Sequence, residues 1–108
     1  MGMQSVPSSM KDLACSLSQH MESCEKRLEA IKEDQLSFSE MMGWVKVNAL
    51  LFSDEERLLR MMQLYQAGEL NPSSMSIVKN EVIKAIERLL PGYSCLIEVV
   101  RSGEQNEE

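Results

Sequence analysis

The sequence predicts an all-α fold: a long N-terminal coiled-coil helix, two shorter helices that form a small bundle on it, and a short C-terminal strand. Three observations carry this expectation. Apolar residues recur at an average spacing of about 3.5 through the first half of the 108-residue chain. Two further amphipathic stretches follow, each delimited by capping and turn residues. After a Pro-Gly pair comes one short, β-branched, apolar run.

A chain of this length admits one compact domain. Residues 1–8 are small, polar and Pro-containing, and read as a disordered tail. Ser9 then offers an N-cap, with Asp12 in the place of a capping-box acid. From there Met10, Ala14, Leu17, Met21, Cys24, Leu28, Ile31, Gln35, Phe38, Met42, Val45, Ala49 and Phe52 follow at alternating intervals of four and three. Only Gln35 among them is polar. The first helix is therefore expected to span residues 9–52, with its weak points between Ser37 and Gly43.

Residues 53–91 read as a helical hairpin packed on the C-terminal half of that helix. Ser53 and Glu56 have capping-box spacing, and Gly68 supplies a left-handed stop after Ala67. Asn71 and Pro72 open the third helix, whose apolar face runs from Met75 through Val78, Val82 and Ile86 to Leu89. Pro91 and Gly92 are expected to end it. Within residues 92–108, Tyr93–Val100 reads as a strand or as a segment packed over the helices, and the remainder as a solvated acidic tail. The turn from Gly68 to Pro72 resembles the Gly-Ile-Asn-Pro turn of the small MOZART-type microtubule-nucleation adaptors, with one residue more. Nothing is carried over from that likeness to residues of this chain.

Lengths then argue for association. A straight helix over the first segment would extend about 64 Å, whereas the two later helices reach only about 21 and 27 Å. The seam from Met10 to Ile31 is thereby left without an intrachain partner, the usual mark of self-association. The expected oligomer interface, most simply of a homodimer, is Met10, Leu17, Met21, Cys24, Leu28, Ile31, Gln35 and Phe38. The alternative is a kink between Ser37 and Gly43 that folds the first helix back as two bundle helices.

Chemistry is sparse. With one His and no nucleophile, phosphate-loop or HExxH pattern, no enzyme activity, catalytic residue or cofactor is expected. His20 and Cys24, one helical turn apart, supply only two zinc ligands where a structural site needs four, so no metal is expected. The nine methionines suit either core filling or an adaptable partner groove. Met41, Trp44, Met61, Met62 and Tyr65 are the partner-binding candidates, Trp44 because large aromatics anchor interfaces.

A formal net charge of −6 argues against binding to phosphate backbones. Three unpaired cysteines, no secretory-signal pattern and no membrane-length apolar run fit an intracellular location, cytoplasmic or nuclear. The expected function is thus non-catalytic: oligomerisation and protein binding, as a scaffold or adaptor that meets itself and at least one other protein. The second reading is a helix-turn-helix-type nucleic-acid-binding or regulatory protein, on the turn from Ala67 to Ser74. Its second helix starts with Ser73, Ser74, Met75, Ser76 and Ile77 rather than with basic residues.

Overall fold

A computed structural model describes the backbone of residues 5–106 and the side chains of residues 11–103. All the regular structure of the described chain is helical: α1 (Ser5–Lys32), α2 (Phe38–Val47), α3 (Glu56–Gln66) and α4 (Met75–Asn106). Single 3₁₀ turns at Ala49–Phe52 and Pro72–Ser74 lie between them. The all-α expectation holds; the single long first helix and the C-terminal strand do not.

The first helix stops at Lys32, well short of Phe52. Asp34 adopts a left-handed conformation, φ 57°, and the Gln35 amide donates back to the Ala30 carbonyl. This is a left-handed helix end with Asp in the position Gly usually takes. Ser37 then restarts the chain with a complete capping box. Its Oγ accepts from the Glu40 amide at 3.1 Å, and the Glu40 carboxylate accepts from the Ser37 amide at 2.9 Å. Gly43 lies inside α2 without breaking it.

Two other boundaries also move. Ser9 lies within α1, because that helix already begins at Ser5. Ser53 does not cap α3 but closes the preceding 3₁₀ turn; the N-cap of α3 is Glu55, with no side-chain hydrogen bond. The stop at Gly68 (φ 74°) and the Asn71 cap, whose Oδ1 accepts from the Ser73 amide at 3.0 Å, are where the sequence puts them.

The largest departure is at Pro91. It lies inside α4, which continues through Tyr93–Val100 to Asn106. Pro91 and Gly92 are both exposed, so the missing amide and the ring face water. Tyr93, Ile97 and Val100 meanwhile turn inward at helical spacing, and their burial against α1 outweighs the proline's penalty. A lone strand would have left its backbone groups unpaired; the helix satisfies them internally.

α1 and α4 pack antiparallel over most of their lengths. Lys32 pairs with Glu87 at 3.1 Å and Asp34 with Lys79, while Cys24, further back in α1, stands beside Tyr93, further on in α4. At one end α2, the Ala49–Phe52 turn and α3 close over this pair to form a head. Its core holds Leu28, Ile31, Met42, Val45, Phe52, Leu58, Val78, Val82 and Ile86. At the other end α1 before Cys24 and α4 beyond Tyr93 project as a two-helix stalk, where Ala14, Ile97 and Val100 are buried. The molecule measures 56 × 28 × 23 Å.

Candidate interaction surface

The seam predicted for a second chain is largely used within this one. Cys24, Leu28 and Ile31 are buried against α4 and the head, and Leu17, Met21 and Phe38 are half-buried. Gln35 is exposed in the turn after α1, its side-chain amide donating to Glu33. The Met10 side chain lies outside the described residues. The apolar period was a sound guide to the inward face; what it did not give was the chain on the other side.

Most of the partner-binding candidates are core or near-core residues. Met41 and Met62 are buried, and Met61 and Tyr65 are half-buried. Tyr65 stacks edge-on against Phe38, ring centroids 5.2 Å apart. Trp44 is half-buried between Phe52, edge-on at 5.6 Å, and the Arg27 guanidinium, 5.6 Å above its ring. That packing ties α1, α2 and the following turn into one unit.

The large apolar side chains that do face solvent are others. Val47 and Leu50, at the corner between α2 and the next turn, are 84% and 90% exposed. On the stalk, Leu13, Leu96 and Val99 are 47%, 51% and 61% exposed. Leu64, Met75 and Ile77 are open at the far end of the head. A signal for the first pair existed in the sequence. In the predicted heptad Val47 and Leu50 fall off the seam, where an apolar residue has no inward neighbour. Leu96 and Val99 were hidden by the strand reading, which gave their segment the wrong period.

The concave features are shallow. One, of about 190 Å³, lies where the turn after α1 meets the starts of α2 and α4, between Leu36, Phe38, Met41 and Met75, with Asp34 and Lys79 paired at its rim. No group of acidic, His and Cys side chains suited to a metal ion occurs among the described residues. His20 is exposed whereas Cys24 points inward. Burial pushes the Cys24 thiol and the Tyr93 phenol above their usual ranges, the thiol also raising the phenol. Cys24 is thus kept as an uncharged thiol, the state of a small buried hydrophobe. No described helix is long and apolar enough to cross a membrane. Comparison of the chain with protein-family models, curated proteins and solved structures finds no match.

Proposed function

We propose that this protein is a non-catalytic interaction and oligomerisation module, a scaffold or adaptor that works inside the cell with itself and at least one other protein. The observation that carries the reading is the pair Val47 and Leu50. Two aliphatic side chains three residues apart, left almost wholly in water at a corner that the Trp44–Phe52 pair closes, give a partner an apolar anchor. The helix-turn-helix alternative gains no support from the start of α4, where Met75, Ser76 and Ile77 are exposed in place of basic or amide side chains.

The test is proximity labelling in cells with the full chain and with a Val47→Asp/Leu50→Asp variant. Both substitutions lie at exposed positions, so the fold should survive them. The reading expects a defined set of neighbouring proteins that the double variant loses. An unchanged set would contradict it.

A further inference from the structure

The stalk has two unlike flanks. In an antiparallel helix pair the g and c positions of both helices share one side, and the e and b positions share the other. With Ala14 and Met21 at a in α1 and Ile97 at a in α4, the first flank carries Leu13, Ser16, His20 and Ser23 opposite Gly92, Leu96, Val99 and Gly103. Among these described residues His20 is the sole titratable one. The opposite flank carries Lys11, Glu22 and Glu25 with Glu98 and Arg101. One flank of the same two helices is thus built for water, while the other offers aliphatic ridges between small residues.

We propose that this uncharged flank is where a second copy of the chain docks, stalk against stalk and antiparallel, to form a four-helix bundle with a head at each end. The proposal rests on the reading of the protein as a self-associating module and names its surface. Two arguments select a second copy as the occupant. Copies that each carry a net charge of −6 repel one another, and that repulsion is least where two uncharged faces meet. A basic or acidic partner would find nothing there to pair with.

The second argument is geometric. Arg27 over Trp44 marks where the flank meets the head; Phe38 and Met41 share a hollow with Ile31 while Trp44 stands under Arg27, so α2 advances toward the stalk and Val47 follows Trp44 by about one helical turn. From Cys24 to Met10 the stalk is about 22 Å long, and two helices side by side are about 20 Å across. An antiparallel twofold arrangement then brings the Leu13 end of each stalk to the Val47–Leu50 corner of the other head. The face alone covers roughly 450 Å² per copy, and the two head corners bring the total towards the 1,200 Å² at which stable interfaces begin.

The experiment is sedimentation equilibrium on the full chain from about 1 to 200 µM, with helical circular dichroism as the check on folding. Wild type is expected to be dimeric. Val99→Asp and Leu96→Asp are each expected to weaken the dimer at least tenfold, and Leu50→Asp to weaken it measurably. Ser94→Asp, on the charged flank, is expected to leave it unchanged. If wild type dimerises and Val99→Asp and Leu96→Asp dimerise equally well while remaining helical, the stalk face is overturned and the self-association reading stands. If wild type is monomeric throughout, both are overturned.

Discussion

Single side chains tie other elements to α4, and two of these pairings make stability depend on pH. Arg88 Nε donates to the Glu55 carboxylate at 2.9 Å, and its Nη2 donates to the other oxygen. These hydrogen bonds hold the Glu55 carboxyl below its usual range, against a smaller opposing effect of burial. A carboxylate depressed in the folded state contributes stability that is present above its unfolded value and lost as pH falls through the folded one. Glu55→Gln should therefore lower the thermal midpoint at neutral pH, and its difference from wild type should shrink as the pH approaches 3. The alkaline side has the opposite sign. Cys24 and Tyr93 are raised by burial, so their contribution is full at neutral pH and is lost as pH rises through their folded values. Tyr93→Phe should remove part of the alkaline loss in midpoint measured between pH 8 and 11.

At the scale of elements, boundaries follow local chemistry except where packing overrules it. The Ser37–Glu40 box is why α2 is a separate helix, and Ser37→Ala should cost about 1 kcal/mol in denaturant unfolding. Pro91 is the reverse case, a breaker carried by the packing of Ile97 and Val100. Pro91→Ala should raise stability by up to about 3 kcal/mol, since it restores an amide and relieves the ring in an exposed helix interior. These two sites also mark how far the sequence could be read. The stop at Gly68 and the Asn71 cap were legible because both are set by backbone geometry that few residues satisfy. The break at Asp34 was legible only in part: Ser37–Gly43 reads as the weak point and a fold-back as the alternative, but the heptad period continues across Asp34, since Phe38, Met42 and Val45 keep the register of the preceding helix while belonging to the next. The helical state of Tyr93–Val100 was likewise concealed, since β-branched residues after Pro-Gly carry a local preference that only the facing α1 seam reverses. Of the interface candidates, sequence found the inward face of α1 but could not see that α4 returns to cover it.

For the whole molecule, the consequence is a change in what a partner meets. The Met10–Ile31 seam would, in an extended helix, demand a second chain; its described part, from Ala14 to Ile31, is covered by the same chain. What remains for association is the flank of that closed pair and the corner at Val47 and Leu50. This architecture depends on α1 and α4 meeting antiparallel within one chain. Spin labels at Lys11 and Ser102, both exposed, on a background with Cys15, Cys24 and Cys95 replaced, test that directly by pulsed electron resonance. Labelled protein is diluted into excess unlabelled chain, so that only distances within one molecule are read. With helix axes about 8–10 Å apart, the expected distance is below about 25 Å and is unaffected by dilution. A distance beyond about 40 Å, or a short one that disappears on dilution, would contradict the intrachain stalk.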